Sequence, residues 1–175
     1  MNDFAVSGGS LLDKADREYP DSKVEVIGGE IFIMAPPSIW HQELVDKVKS
    51  QLSAFFKDKP CKPYREVGVT LPDDQRVIPD IAVVCDKFKV FEDGIKGTPD
   101  LVVEVLSKST SHMDLNRKRD LYRKYGVREY WALDRGRAIR WVFNDSGAET
   151  SLLGSVVESE IFPGLSVDIS DSEEI

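Results

Sequence analysis

A glutamate inside an unbroken aliphatic run is the feature that most constrains how this chain can fold. The run extends from Leu101 to Leu106, and Glu104 is its one polar residue. Valine and leucine in such a short stretch predict a buried strand. A lone charge in a buried strand is costly unless it is paired, protonated or bound to a metal ion. The run therefore predicts a strand that must have a partner for Glu104.

A second aliphatic run carries a second carboxylate. It spans residues 77–84 and contains Asp80 directly after a proline, just as Asp100 follows a proline where the first run begins. If the two strands lie side by side, Asp80 and Glu104 are placed to hold a divalent cation between them. Asp100 lies four residues before Glu104, about 13 Å along a strand, which is too far to bind the same ion. We expect Asp100 to cap the entry to the strand.

Length and composition are those of one globular domain over residues 1–175. The hydrophobic content of 41% and the charged content of 31% are ordinary. No signal peptide is apparent, and no segment approaches the roughly 18 apolar residues of a membrane span. Two cysteines do not make a disulfide framework, and Cys85 is interpreted as a small buried hydrophobe. A reducing cytoplasm is the expected location.

Charge is distributed unevenly along the chain. The net charge of −8 argues against non-specific coating of nucleic acid, yet residues 108–140 hold ten Lys and Arg against four Asp and Glu. Residues 144–175 hold eight acidic residues and no basic ones. The basic segment is either a solvated helix face or a rim that binds phosphates, and both interpretations stay open. In the second, Arg117, Arg123 and Lys124 would contact nucleic acid.

The order of predicted elements indicates an α/β domain of the mixed α+β type around one central mixed sheet, with an N-terminal hairpin and two main helices. A polar segment (1–21) precedes the hairpin, and acidic strands and a tail (144–175) end the chain. The elements are a hairpin at residues 24–34, a helix from Ser38 to about residue 58, strands near 64–71, 77–85 and 100–106, a helix at 111–125, strands near 128–134 and 138–143, and shorter strands near 151–157 and 161–169.

The second predicted helix carries a lysine within its apolar stripe. Leu115, Lys118, Tyr122 and Tyr125 recur at helical spacing. Lys118 either pairs with Asp114 four residues earlier, or it directs its ammonium to a phosphate or a water at the active face of the sheet. Both alternatives stay open. If Lys118 is catalytic, replacement by methionine is expected to preserve or raise stability and to remove cleavage. If it only pairs with Asp114, the same change is expected to lower stability or do little, and any cleavage should survive.

Several segments resemble the Uma-two family of putative restriction endonucleases, within the PD-(D/E)xK nuclease superfamily. The matching segments are VEVIGGEIFIMAPPS, His41, VIPDIAVV, PDLVVEVLSKST, DLNRKRDLYRKYGVREYWALD and the later IFPGLSVDI. The resemblance implies a restriction-endonuclease-like core with the order α-β-β-β-α-β. It also implies Mg²⁺-dependent hydrolysis of DNA, with Mn²⁺ as a substitute ion.

The resemblance also implies a set of site residues. Asp80 and Glu104 would bind the metal, with the main-chain carbonyl of Val105 as a further ligand. The superfamily places a lysine two residues after the acidic residue, where this chain has leucine. The family therefore implies a migrated lysine at Lys118, and Lys108 is a competitor because it has the strand parity of Glu104.

Two residues of the first helix are accessory candidates. His41 lies on the core stripe and is either a hydrogen-bonded core residue or part of the site, and Glu43 is either solvated or a further metal ligand. The expected activity is that of a metal-dependent DNA endonuclease. The alternatives are an inactive nuclease fold that binds nucleic acid or a partner protein, and an RNA-processing nuclease. Whether the chain forms a homodimer stays open.

Overall fold

Three α-helices and two six-stranded sheets make up most of the computed structural model, which describes residues 10–107 and 111–170. The helices are α1 (Leu11–Glu18), α2 (Ile39–Phe55) and α3 (Arg119–Lys124), and a π-helical segment (Met113–Lys118) leads directly into α3. A short 3₁₀ turn covers Lys87–Lys89. Within the described residues, no helix is both long and apolar enough to cross a membrane.

Fourteen strands lie in these described residues. They are β1 (Val24–Ile27), β2 (Glu30–Ile33), β3 (Lys62–Arg65), β4 (Val69–Leu71), β5 (Gln75–Val77), β6 (Ile81–Val84), β7 (Val90–Phe91), β8 (Gly94–Lys96), β9 (Leu101–Val105), β10 (Glu129–Asp134), β11 (Arg137–Asn144), β12 (Gly147–Leu153), β13 (Val156–Glu158) and β14 (Ser166–Asp168).

The central sheet has the strand order β12-β11-β10-β9-β6-β3. Strands β3, β6 and β9 are antiparallel neighbours, and β10 returns parallel to β9 after α3. A crossover helix is the usual way to join two parallel neighbours. With α2 ahead of β3, the core has the expected order α-β-β-β-α-β, and the predicted α/β fold class is confirmed.

A second mixed sheet, with the order β2-β1-β5-β4-β8-β7, accompanies the central one. The runs predicted as strands near 64–71 and 77–85 each contribute to both sheets, because each breaks where the chain crosses from one sheet to the other. Glu66 has a positive φ of 47° in the first crossing, and Pro79 lies in the second. Neither conformation nor residue continues a regular strand.

The predicted hairpin and first helix are both present. Gly28 and Gly29 have φ values of 60° and 83°, the left-handed pair that a type I′ turn requires. Ser38 caps α2, since its hydroxyl accepts a hydrogen bond from the His41 N–H at 3.3 Å. The buried face of α2 packs in the same core as the central sheet and consists of Leu44, Val45, Val48 and Leu52.

A disulfide joins Cys61 and Cys85, so the interpretation of Cys85 as an unpaired buried hydrophobe is wrong. The two cysteines flank the β3–β6 ladder, in which Lys62 lies opposite Val84. Antiparallel pairing therefore sets residues that are 24 positions apart directly opposite each other. A reducing cytoplasm favours the dithiol, so the redox state of this pair bears on the expected location.

Reduction of this disulfide is expected to lower the free energy of unfolding by about 3 kcal/mol, since the unfolded chain regains the freedom of the closed loop. Guanidinium unfolding with and without a reductant measures the change. The Cys61→Ser/Cys85→Ser double variant is the control, because it should match the reduced parent and be insensitive to reductant. Equal stability of the oxidised and reduced parent would contradict the prediction.

Candidate active site

Asp80 and Glu104 come together because their strands are neighbours. In the β6–β9 ladder Ile81 lies opposite Val103, so the residue before β6 meets the residue after Val103. The Asp80 N–H donates to Glu104 Oε2 at 3.4 Å, and the Val105 N–H donates to Asp80 Oδ2 at 2.7 Å. The sequence-predicted pair of carboxylates thus shares one cleft with Val105.

Lys118 lies within hydrogen-bonding distance of Glu104. Its side chain is 2% exposed, and Nζ is 3.0 Å from both Glu104 Oε1 and Glu25 Oε1 and 3.5 Å from Asp114 Oδ1. The Tyr122 hydroxyl donates to the same Glu104 oxygen at 2.8 Å. Lys118 therefore pairs with Asp114 and also contacts two strands, while an ammonium directed to a phosphate or a water stays a prediction. We call Glu25, Glu104, Asp114 and Lys118 the acid–lysine cluster.

The helix that carries this lysine is itself unusual. Asp114 and Lys118 both lie in the π-helical segment, and such segments are rare and frequent at functional sites. The Tyr130 hydroxyl donates to the Asp114 main-chain carbonyl at 3.0 Å, and its ring stacks on Trp141. Strand β10 therefore contacts the π-helical segment that carries Lys118.

Burial sets the electrostatics of the acid–lysine cluster. It raises the pKa of Glu104 well above its ordinary value, although the Lys118 ammonium opposes the rise. Burial lowers the pKa of Lys118, but the surrounding carboxylates outweigh that effect and raise it well above its ordinary value. The lysine is therefore charged. The charges of Asp114, Asp80 and Glu25 add to the rise in the pKa of Glu104.

His41 holds the other side of Asp80. Its Nε2 atom lies 2.9 Å from Asp80 Oδ1, and both side chains are largely buried. Burial lowers the pKa of His41, but the hydrogen bond and the charge of Asp80 outweigh it, so the pKa is raised above its ordinary value. Of the two interpretations of His41, the structure shows a hydrogen-bonded histidine that is also in contact with the candidate metal ligand.

His41 is expected to titrate above its ordinary pKa of 6.5 in the metal-free protein. Because the folded pKa is raised, the stability from this contact is fully present below pH 6.5 and is lost as the pH rises through the folded pKa. Imidazole NMR signals measure the midpoint, and His112→Gln assigns them because the chain has two histidines. Asp80→Asn should lower the midpoint. A His41 midpoint at or below the ordinary value would contradict the assignment.

The cleft is lined by both apolar and charged side chains. Its volume is about 590 Å³, and residues 31–38, which carry no charged side chain, form part of the lining. Asp80, Glu104, Lys118 and His41 also line it. A cavity of this size takes a small ligand or a substrate segment.

The candidate nucleic-acid contacts lie outside this cleft. Arg117, Arg123 and Lys124 are exposed. Arg117 forms an ion pair with Glu30, and Lys124 lies 3.1 Å from Asp73. Arg117 and Lys124 also line a second, more open cavity of about 520 Å³. Contact of these residues with phosphates stays a prediction.

The remaining residues singled out from the sequence are Glu43, Lys108 and Asp100. Glu43 is exposed on α2 and does not line the cleft. Lys108 lies outside the described residues, so the competition between Lys108 and Lys118 is not decided by its position. Asp100 accepts a hydrogen bond from the Cys85 N–H at 2.9 Å, which agrees with a role at the strand entry.

Sequence reasoning missed Glu25 as a neighbour of the site. It lies in β1, within the run Val24-Glu25-Val26-Ile27, and it is 1% exposed. The signal that revealed Glu104, a glutamate among β-branched residues, was present here too. Polar residues that alternate along a hairpin strand usually face solvent, so the signal does not by itself place Glu25 in the core.

The donor set fits a magnesium ion held by two carboxylates. Asp80 and Glu104 supply hard oxygen atoms, and Mg²⁺ usually binds through one or two carboxylates while keeping several waters. The contact to Glu104 Oε2 is long, so that oxygen retains lone-pair capacity. Within residues 10–107 and 111–170, no three or more His, Cys, Asp or Glu side chains are grouped to hold a metal by themselves. The fit is thus to an ion with a water-rich shell.

Comparison with known proteins finds similarity in sequence and in fold. A family model described as "Uma2: Putative restriction endonuclease" matches residues 11–170. A crystal structure of a "putative nuclease belonging to DUF820 from Anabaena variabilis ATCC 29413" superposes with a TM-score of 0.71 at 20% identity, covering 85% of this chain and 88% of that chain. At this identity the likeness shows the fold.

A second solved structure, the cryoEM structure of a DrdV–DNA complex, is more distant. Its TM-score is 0.37 at 14% identity, with 63% of this chain and 12% of that chain covered. This likeness is too weak to carry an argument. No curated protein matches the chain.

Proposed function

Since the chain belongs to the Uma2 (Uma-two) family of putative restriction endonucleases, we propose that it is a metal-dependent endonuclease that hydrolyses DNA phosphodiester bonds. The observation that supports this most is the convergence of Asp80, Glu104 and Lys118 in one cleft. Two carboxylates and an ammonium are the groups that this chemistry needs at the reacting phosphate.

Asp80 and Glu104 would hold Mg²⁺, with the Val105 carbonyl as the further ligand. The bound ion would polarise the phosphate and make its bound water more acidic. His41 would keep Asp80 in the orientation that faces the ion, since outer hydrogen bonds to metal ligands fix their geometry. The chain itself would therefore supply the three ligands and the support for one of them.

Lys118 would offset the negative charge that develops on the phosphate. Its ammonium is held 3.0 Å from Glu104, so it lies beside the proposed metal ligand and not at the surface. A fixed charge in a site that excludes water stabilises a transition state more than a mobile charge in solvent does. Lys118 thus takes the role of the lysine that the superfamily places two residues after the glutamate.

Cleavage of plasmid and single-stranded DNA tests the function. We expect strand breaks with Mg²⁺ or Mn²⁺ and none with EDTA. An RNA of the same sequence, assayed in parallel, separates a DNA enzyme from an RNA-processing one. A protein that cleaves none of these substrates with any divalent ion would favour the alternative of an inactive nuclease fold that binds nucleic acid or a partner protein.

Phosphate contacts by the exposed basic residues should appear as a salt dependence of DNA binding. Each lost contact lowers the slope of log affinity against log salt by about one unit. Arg123→Glu is therefore expected to flatten the slope, measured by fluorescence anisotropy in the absence of divalent ions. Lys57→Glu, with the same charge change in the exposed turn after α2, is the control. Equal slopes for the two variants would remove Arg123 from the interface.

A further inference from the structure

We propose that Glu25 is a positioning residue of this site, which fixes both the Lys118 ammonium and the main chain that carries Asp80. The inference rests on the proposed nuclease function. One oxygen makes both contacts, since Glu25 Oε1 lies 3.0 Å from Lys118 Nζ and accepts a hydrogen bond from the Ile78 N–H at 2.8 Å. Glu25 thereby connects two of the three proposed catalytic groups.

The contact to Ile78 links the two sheets at the point where the chain crosses between them. Glu25 lies in β1 of the second sheet, whereas Asp80 directly precedes β6 of the central sheet. Ile78 follows β5 and lies two residues before Asp80. A displacement of Ile78 would therefore move Asp80. The hydrogen bond to Glu25 holds the crossing segment against such a displacement.

The contact to Lys118 gives the ammonium a second carboxylate at the same distance as Glu104, 3.0 Å. A lysine has a flexible four-carbon stem, and its charge is a point with no preferred direction. With Glu104 on β9 and Glu25 on β1, Nζ is fixed between two strands. The Asp114 contact, at 3.5 Å, is longer and comes from the helix itself. Removal of Glu25 would let the ammonium move toward β9 and the helix.

The hydrogen bond to Ile78 alone does not require a carboxylate at this position, since a neutral amide oxygen accepts it as well. Glu25 is 1% exposed, and among the described residues its Oε2 atom has no hydrogen-bond partner. A buried polar atom without a partner is destabilising. What the carboxylate adds is a negative charge beside the Lys118 ammonium.

Glu129 provides a matched comparison within the same protein. It is also a fully buried glutamate in a strand. Its two oxygens accept hydrogen bonds from Trp131 Nε1, from the Ser159 hydroxyl and from the N–H groups of Glu160 and Ile161. It does not line the cleft. Glu129 therefore represents a buried glutamate that stabilises the fold without contact with the site.

The test compares Glu25→Gln with Glu129→Gln. Glutamine keeps an oxygen acceptor for Ile78 but removes the charge that faces Lys118. We expect Glu25→Gln to lower kcat by about 10- to 100-fold on plasmid DNA, as loss of an outer support typically does. KM for DNA and the Mn²⁺ affinity should stay within about twofold, and Tm should not fall. Glu129→Gln should lower Tm and leave kcat unchanged.

The NMR signal of the Lys118 ammonium gives a readout that does not need cleavage. It should shift in Glu25→Gln and not in Glu129→Gln. In the parent protein, a nuclear Overhauser effect between the Lys118 ammonium and the Ile78 amide hydrogen is expected, because Lys118 Nζ and the Ile78 nitrogen lie 3.0 Å and 2.8 Å from the same atom, Glu25 Oε1. This measurement is made on the parent protein, so it can be carried out even if Glu25→Gln does not fold.

Three outcomes would overturn the inference. The first is a parent-like kcat in Glu25→Gln. The second is loss of Mn²⁺ binding in that variant, which would make Glu25 a metal ligand. The third is absence of the nuclear Overhauser effect between the Lys118 and Ile78 hydrogens. A parent protein that cleaves nothing would sink the proposed function alone. The two NMR readouts would then still decide whether Glu25 positions Lys118.

Discussion

Asp80→Asn is expected to abolish metal-dependent cleavage, with a fall in kcat of about 10³-fold, because several kcal/mol of charge stabilisation are lost with the ion. Asparagine has the shape of aspartate and keeps an acceptor for the Val105 N–H. It removes the charge that faces the metal and His41. Calorimetry with Mn²⁺ should show no binding, and plasmid cleavage should show no strand breaks. Glu104→Gln is expected to behave in the same way.

Asp100→Asn is the matched control for this change. Asp100 is also an aspartate that follows a proline at the start of a strand, and it accepts a hydrogen bond from the Cys85 N–H. It lies at the other end of β9 from Glu104. Mn²⁺ affinity and cleavage should match those of the parent. Parent-like Mn²⁺ binding in both Asp80→Asn and Glu104→Gln would show that the metal site is misassigned.

Lys118→Met is expected to lower the free energy of unfolding by about 3–5 kcal/mol, because it leaves buried carboxylates without a counter-ion. Glu104, Glu25 and Asp114 all lose the ammonium that they share. Urea unfolding measures the change. Cleavage should be lost as well, and metal binding should be retained. A variant that still cleaves DNA would remove Lys118 from the mechanism and direct attention to Lys108.

The loss of stability in Lys118→Met should increase as the pH rises. Burial raises the folded pKa of Glu104 above its ordinary value of 4.5, and without Lys118 nothing in the cluster opposes that rise. A carboxyl with a raised folded pKa is tolerated while it is protonated and destabilises as it ionises. The deficit of Lys118→Met should therefore be smallest near pH 4.5 and grow as the pH rises.

Lys124→Met is the control for Lys118→Met. Its side chain is 63% exposed and pairs with Asp73 at the surface. Water and salt screen an exposed ion pair, so the change in stability should be much smaller than that of Lys118→Met. Equal and small losses for the two variants would contradict the buried position of Lys118.

Local sequence patterns identified Asp80 and Glu104 as buried carboxylates that need a partner, and they predicted the fold class. Charge amid aliphatic residues identified Asp80 and Glu104, because burial of an ionised group needs a partner wherever the strand lies. Periodicity determined α2 and the helix that carries Lys118, and Gly28-Gly29 determined the hairpin. These are local properties, and each depends on a few neighbouring residues.

The neighbours of those carboxylates became known only from the tertiary contacts. It placed Glu25 of one sheet against Lys118 and Ile78, and it set Cys61 opposite Cys85 across a ladder. It also reversed the expectation that methionine would be tolerated at Lys118, since the apolar stripe concealed three acidic neighbours. Such contacts join residues from different strands, and their distances follow from the pairing and packing of the two sheets. Short-range patterns carry no information on that pairing. The sequence therefore showed which charged residues would be buried, but it did not show which residues they would contact.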